Sequence, residues 1–565
     1  MPTLPLIAPT RRPARRQRFV AALVAAGIGT LAGTLVVPAS GAAAPLQARP
    51  AAGFRDSIGV QTHFPFTGYA YDTASTSDLA GMLRTLGVSH LRDDLCFNTE
   101  AACQRVRSRI AAMQDALGPG APRVDLMAGY TRELAAIPGR AARDADIERA
   151  LTAATSSPLS SMLAGLEPVN EPDLKGTTGW ESSTLADDDT FTRLLAQPRF
   201  AALRGIPHLS PAIGHASNTT ALLASGWSKT RADVGNFHPY PAAWGGPENA
   251  LGTACGATDA LSCAGELGQS AAPIATESGY STSGTPLSTN WVSERAQAIY
   301  LPRLLLENYR RGIARTYLYE LIDLKPQRGS AVDGYGLWRA RAAGTTFVAG
   351  DPKPAALAVS RMNATIGDLG APSATSSLDV TLQSSGKVLG DDDVRRVLLQ
   401  RADGSYVLAL WQPKAVWDNT VFKQSDRSVA DLGVDVTISG ATWNATATRP
   451  SVGDAATGHW DDAQRFTVPV GADVTLIDLR KVGDAAPLAI PEAAPAAIAA
   501  AAPAALPAAR SAQTTSWLAL WKSLGAALTQ ASRQHSLSDD TRPTTKRPHK
   551  TGRRQARARR NAARR

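Results

Sequence analysis

Between residues 57 and 369 the chain alternates two hydrophobic rhythms. Short runs rich in β-branched and aliphatic residues, at 57–63, 88–94, 123–130, 163–170, 207–214, 233–240, 273–280 and 315–322, read as buried strands. Stretches such as 99–117, 144–155, 187–203, 290–311 and 354–369 carry apolar residues at helical spacing between or after them. Eight strand-then-helix units predict an α/β architecture, a (β/α)8 TIM barrel over residues 53–370. A doubly wound open sheet would alternate as well, but it rarely needs eight units. It also calls for a Gly-rich phosphate turn after its first strand, and none is present.

From about residue 376 the period shortens to alternating strands and tight turns. Residues 397–401 and 405–411 flank Ala402-Asp403-Gly404, a hairpin signal, and Val434/Val436/Ile438, Phe466/Val468/Val470 and Val474/Leu476 alternate with polar neighbours. This predicts a small all-β sandwich at 376–482. Residues 483–512 form an Ala/Pro-rich linker without the large apolar residues of a core. In 513–565, Trp517, Trp521, Leu524 and Leu528 recur at helical spacing, which predicts a short amphipathic helix ahead of a disordered basic tail.

Composition agrees with a soluble globular protein: 44% of the 565 residues are apolar and 19% charged, which excludes a small disulfide-stapled fold and a wholly disordered chain. The net charge of +10 suggests a polyanion as partner until its location is read. Ten bases and no acid fall between Lys546 and Arg565, and Arg11, Arg12, Arg15, Arg16 and Arg18 crowd the start. With those fifteen set aside, 44 bases remain against 49 acids, so the body carries −5.

The arginine cluster at the start is followed by an apolar, uncharged run at 19–37 and then by small residues up to Ala44, the order of an export signal occupying 1–44. A permanent N-terminal anchor is the alternative, since the run approaches the ~20 residues that span a bilayer. Cys96, Cys103, Cys255 and Cys263 are the only cysteines. In an exported protein they predict two short-range disulfides, Cys96–Cys103 and Cys255–Cys263. Neither pair has the histidine neighbours or CxxC spacing of a zinc site, and no cofactor is expected.

In a (β/α)8 barrel the reactive groups lie where strands end. Two carboxylates stand there: Glu171, in Asn170-Glu171-Pro172 closing the fourth strand, and Glu277, in Thr276-Glu277-Ser278-Gly279-Tyr280 closing the seventh. Three βα units separate them, which brings both to the same rim. Two facing carboxylates are what cleavage of a glycosidic bond requires.

These strings resemble glycoside hydrolase clan A, the retaining barrel enzymes with an Asn-Glu acid/base on strand four and a glutamate nucleophile on strand seven. Asn-Glu-Pro alone is a common tripeptide; the specificity comes from its pairing with Thr276-Glu277-Ser278-Gly279-Tyr280 at this separation. The resemblance covers roughly 57–369 and implies Glu171 as acid/base, Glu277 as nucleophile and Asn170 as partner of the sugar 2-hydroxyl. It further implies His238 and Tyr240, in Phe237-His238-Pro239-Tyr240, as site-lining residues, with the tyrosine on the nucleophile, and Arg92 as the cation that keeps Glu277 ionised. On that basis Glu277 is expected to be the more acidic of the pair. His63 is a further substrate-binding candidate. Strand eight departs from the clan pattern, offering Tyr317-Leu318-Tyr319-Glu320 where many members have a tryptophan platform, so Tyr319 or Trp338 is expected to supply that surface; Trp180 and Trp244 are further stacking candidates.

The expected activity is therefore that of a secreted or cell-wall-associated retaining glycoside hydrolase acting on a carbohydrate substrate. Two alternatives stay open: a transglycosylase using the same glutamates, and a catalytically silent carbohydrate-binding protein. The basic tail suits an anionic cell-surface polymer or lipid. It lacks interleaved aromatics, which speaks against nucleic acid.

Overall fold

The computed structural model of the protein describes residues 45–483 apart from 97–98, 130–138, 175–177, 242–244, 252, 256–257, 285–289, 327–329, 368–369 and 371–373. The expected export segment 1–44, linker, amphipathic helix and basic tail lie outside the described residues. Among those described, no helix is long and apolar enough to cross a membrane.

Seven of the eight expected runs pair as parallel strands in one sheet. In spatial order these are Leu163–Glu167, Arg123–Met127, His90–Asp94, Ile58–Gln61, Arg315–Leu318, Ile274–Ser278 and Asn236–Phe237. The fifth run, 208–213, closes the ring. His208 and Ala212 bridge Leu166 and Asn170 of the fourth position, while Leu209 and Ile213 bridge Val234 and Phe237 of the sixth. It makes single bridges and not a continuous ladder because Pro207 and Pro211 have no N–H to donate. The sixth strand is shortened to two residues before His238-Pro239-Tyr240-Pro241 for the same reason. The result is a (β/α)8 barrel.

Helices between the strands follow the apolar spacing, and their starts follow capping chemistry. Glu100–Leu117 begins where the Thr99 side chain accepts from the Ala102 N–H, and Glu294–Arg311 where Ser293 accepts from Ala296. The expected 187–203 helix is instead Trp180–Leu195 followed by a separate 3₁₀ segment, Pro198–Leu203. Proline at 198 explains the break. Cys96, just past the second strand, is bonded to Cys103 on the Glu100–Leu117 helix. Cys263 is also disulfide-bonded, whereas the side chain of its expected partner, Cys255, lies outside the described residues.

Beyond the barrel, two antiparallel-dominated sheets form the sandwich. One orders Lys387–Val388, Val380–Ser384, Leu432–Ile438 and Arg465–Val470. The other orders Arg49–Pro50, Arg395–Gln400, Tyr406–Trp411, Thr475–Lys481, Trp443–Thr448 and Ala456–Ala463. The sandwich thus takes in residues ahead of the barrel, since Leu46–Gln47 also pairs with Ser377–Leu378. Two-residue pairings carry no periodicity, so the hydrophobic pattern leaves them outside the sandwich.

Tyr406–Trp411 is buried at every position, the signature of a strand covered on both faces. Tyr406, Leu408 and Leu410 face the sandwich core; Val407, Ala409 and Trp411 join the barrel-side core with Ala355, Val359 and Leu301. A buried polar staple crosses the same junction. Arg303, on the helix Glu294–Arg311, donates from Nε to Glu248 at 3.0 Å and from Nη1 to the carbonyls of Lys414 and Ala472, while the Trp411 indole donates to Glu248 at 2.7 Å. The paired charges satisfy one another, so their burial does not leave either alone.

Candidate active site

Strand four is apolar until its last residue, Glu167, after which the chain turns through Pro168-Val169-Asn170-Glu171-Pro172. Backbone hydrogen bonds from Asn170 to the Gly129 carbonyl (3.2 Å) and from Glu171 to the Ala212 carbonyl (2.9 Å) hold this turn between its two neighbours. Glu171 itself has φ 43°, a left-handed conformation that is unfavourable for a side chain with a Cβ. Such strain persists where the surroundings fix a side chain's direction. On strand seven, Glu277 precedes Ser278 and Gly279. A Cβ at Gly279 would stand 2.5 Å from the Tyr319 carbonyl oxygen, so the glycine lets the ends of strands seven and eight close together beside Glu277.

Arg92, at the middle of strand two and fully buried, is the hub. Its Nη1 donates to Glu277 Oε1 at 2.6 Å and to Gln61 Oε1 at 2.9 Å. Its Nε and Nη2 donate to the two oxygens of Glu167 at 2.7 and 2.8 Å, and Nη2 also reaches Asn170 Oδ1 at 2.8 Å. Burial opposes the Arg92 charge, but Glu167 and Glu277 outweigh it and hold the guanidinium well above its ordinary value. The Tyr240 hydroxyl donates to Glu277 Oε2 at 3.0 Å. Burial foremost, then the Glu277 charge, raises the Tyr240 phenol well above its usual range, so it remains a donor. His238 places Nδ1 2.7 Å from Glu171 Oε1 and Nε2 3.0 Å from Thr276 Oγ1.

The structure therefore gathers Glu171, Glu277, Asn170, Arg92, His238 and Tyr240 into one cluster. One oxygen of each catalytic candidate and one ring nitrogen of His238 lie within 4.8 Å of one another, Nδ1 being 2.7 Å from Glu171 and 3.6 Å from Glu277. Hydrogen bonding accounts for that spread, and we assign no metal to it. A row of rings extends from it: Tyr240 against Tyr335 (centroids 5.7 Å apart), Tyr335 against Tyr319 (5.3 Å), Tyr319 against His63 (5.4 Å), and His63 stacked on Phe66 (4.3 Å). Tyr319 and His63 thus stand one and two rings beyond Tyr335. His63 lies 3.3 Å from Glu320 and 3.7 Å from Asp94. Trp338, 3% exposed, opens the strand Trp338–Ala343 and bridges Ile322 just beyond strand eight. Trp180 starts a helix and packs with Ile213, Leu222 and Trp227; Trp244 lies outside the described residues.

Arg92 does meet Glu277, yet burial pushes the Glu277 carboxyl above the ordinary glutamate value, and Arg92 offsets this only in part. Sequence reasoning overlooks Glu167, which takes two of the guanidinium's donors, so that Arg92 is shared between two carboxylates. A carboxylate ending an otherwise apolar, fully buried strand was the available signal, because a buried charge requires a partner. Gln61, Asn236, Thr276 and Tyr335 are the other site residues the pattern does not single out.

Burial lowers the His238 imidazole to about 4, against the favourable charge of Glu277. Between the unfolded value near 6.5 and about 4, the unfolded chain binds a proton that the folded imidazole refuses. The His238 contribution to stability is accordingly present above pH ~6.5 and lost as pH falls toward 4, by on the order of 3 kcal/mol. The stability difference between wild type and His238→Gln should shrink by about that amount from pH 7 to pH 4 in urea unfolding. An unchanged difference would show that His238 is not held neutral.

Fold and site define a class of protein: a (β/α)8 barrel whose mouth carries two carboxyl groups, one hydrogen-bonded to an imidazole and one to a buried arginine and a phenol. No family model matches the chain, and no curated protein matches it. Among solved structures it is similar to a family 2 β-galacturonidase from Eisenbergiella tayi, at 14% identity and TM-score 0.38, covering 56% of this chain and 52% of that one. The chain thus spans about half the length of that enzyme. It is also similar to a family 5 glycoside hydrolase from Bacteroides vulgatus (11% identity, TM-score 0.41, covering 75% and 89%) and to a family 17 β-1,3-glucanosyltransferase from Rhizomucor miehei (16%, 0.36, covering 50% and 92%). At such identities the chemistry has to be read from the site's own geometry.

Proposed function

We propose that the chain is an exported glycoside hydrolase that cleaves O-glycosidic bonds of an oligosaccharide or polysaccharide by double displacement with retention. The observation that carries this reading is the separation of the two carboxyl groups. An oxygen of Glu171 and an oxygen of Glu277 lie within 4.8 Å of each other, with the His238 imidazole beside both, which supports the close carboxyl spacing of retaining enzymes, roughly 5–5.5 Å, over the wider gap of roughly 6.5–9.5 Å in inverting ones.

Glu277 Oε1 is pinned by Arg92, and Oε2, steadied by Tyr240, attacks the anomeric carbon. As that C–O bond forms, the bond to the leaving group breaks, and Glu171 gives its proton to the departing oxygen. Glu171, now ionised, takes a proton from water, whose oxygen attacks the anomeric carbon and releases Glu277. Tyr240, Tyr335 and Tyr319 supply the aromatic wall for the apolar face of the sugar. The test is a panel of aryl glycosides followed by proton NMR of the first-formed anomer. Retention of configuration is expected, and release of the opposite anomer would overturn the reading.

Export has separate support in the Cys96–Cys103 bond, which suits an oxidising compartment. The exported protein should have an intact mass lacking most of residues 1–44; a full-length mass in the medium would contradict cleavage.

A further inference from the structure

Four buried side chains behind the two glutamates form a hydrogen-bond chain whose direction can be worked out from its fixed end. Arg92 is always protonated, so Glu167, which accepts from its Nε and Nη2, is a carboxylate with only acceptors to offer. Asn236 approaches Glu167 Oε2 at 3.1 Å and must therefore present its NH2 there. This turns its Oδ1 toward Thr276 Oγ1, 2.7 Å away, and an amide oxygen can only accept. Thr276 spends its single proton on that bond. Toward His238 Nε2, at 3.0 Å, the hydroxyl has only lone pairs left, so Nε2 carries the imidazole hydrogen. A neutral His238 then faces Glu171 with a bare Nδ1 lone pair at 2.7 Å. Two acceptors do not sit at that distance without a proton between them.

We propose that Asn236 and Thr276 are positioning residues which, anchored on the Arg92–Glu167 pair, lock His238 as its Nε2–H tautomer and so keep the proton on Glu171. This rests on the assignment of Glu171 as the acid. Glu167, Asn236 and Thr276 are each 0% exposed and do not reach a sugar, so they act through His238. The charged and titratable groups around the pair are consistent with a neutral imidazole. Glu277, Glu167 and Asp173 favour its cation, Arg92 opposes it, and burial decides for the neutral form. Tyr240 and Tyr335 also face Glu171, and burial keeps both phenols protonated.

The chain also explains why a threonine precedes Glu277. A valine would have the same shape and no hydroxyl. Without the Thr276 acceptor, the imidazole gains by moving its hydrogen to Nδ1, where it donates to an ionised Glu171. That stabilises the carboxylate and makes Glu171 a stronger acid.

The test compares wild type with Thr276→Val and Thr276→Ser. In ¹⁵N-histidine NMR at pH 7, wild-type His238 should be the Nε2–H tautomer, Thr276→Val should show the Nδ1–H form, and Thr276→Ser should restore the wild-type pattern. In kinetics, the basic limb of the kcat/KM profile should move to lower pH in Thr276→Val by about one unit, with tenfold or greater loss on that limb for poor leaving groups, and return in Thr276→Ser. A wild-type His238 found as the cation or as the Nδ1–H tautomer overturns the proposal. So does a Thr276→Val variant with an unmoved tautomer or an unmoved basic limb. If Thr276→Val does not fold, the wild-type spectrum alone decides. If the wild type turns over no glycoside, the glycosidase reading fails while the spectra still judge the relay.

Discussion

Glu277→Gln should lose turnover by a factor of about 10⁴ or more, because the amide retains the shape of the nucleophile but not its charge or lone-pair reactivity. The fold should survive the change. The Gln oxygen can still accept from Arg92 Nη1, which stays paired to Glu167 through Nε and Nη2. Shortening the side chain, as in Glu277→Ala, opens the space from which Glu277 attacks. Added azide can then displace an activated leaving group directly, giving a glycosyl azide of inverted configuration. Full activity in Glu277→Gln, with melting unchanged from wild type, would remove Glu277 from the chemistry.

Glu171→Ala should behave differently, and the contrast with Glu277 separates the two roles. Loss of the proton donor should slow glycosides with poor leaving groups by roughly 10²- to 10⁴-fold, while substrates whose leaving group needs no protonation form the covalent intermediate nearly as fast as before. Their turnover should then stall at the second step, where no base activates water. Azide, which needs no base, should restore turnover and give a glycosyl azide of retained configuration. An equal loss across all leaving groups, with no rescue, would mean that Glu171 holds the site together and does not transfer a proton.

Much of this site is legible in the sequence for one physical reason. Strands of a barrel end on a common rim, so Glu171 and Glu277, each at a strand's end, can be placed together from the hydrophobic rhythm, and the family resemblance implies Arg92, His238 and Tyr240 beside them. What is not legible lies deeper. Glu167, Asn236 and Thr276 are polar residues within or at the ends of buried strands. Periodicity registers them as interruptions in apolar runs, and nothing in the spacing says that they meet one another. The same omission hides that Arg92 is shared between Glu167 and Glu277. Trp338 stands on a short antiparallel pair with Thr346–Pro352, which the pattern after strand eight does not report.

The domain pattern divides in the same way. Alternation in 376–482 is strong wherever a strand has one face on the core, as in Leu432–Ile438, and absent in Tyr406–Trp411, which is buried on both sides. The residues at 46–50 close the sandwich from the other side of the barrel, at a distance in sequence that no local pattern reports.

The central claim is that Glu277 forms a bond to the sugar. A 2-deoxy-2-fluoro glycoside with an activated leaving group slows both steps, the second more than the first, and should let the glycosyl-enzyme accumulate. Intact mass spectrometry should then show one added sugar per chain, and peptide mapping should place it on the peptide containing Thr276-Glu277-Ser278. A sugar attached elsewhere, or inactivation with no adduct on a protein that hydrolyses the parent glycoside, would contradict the account.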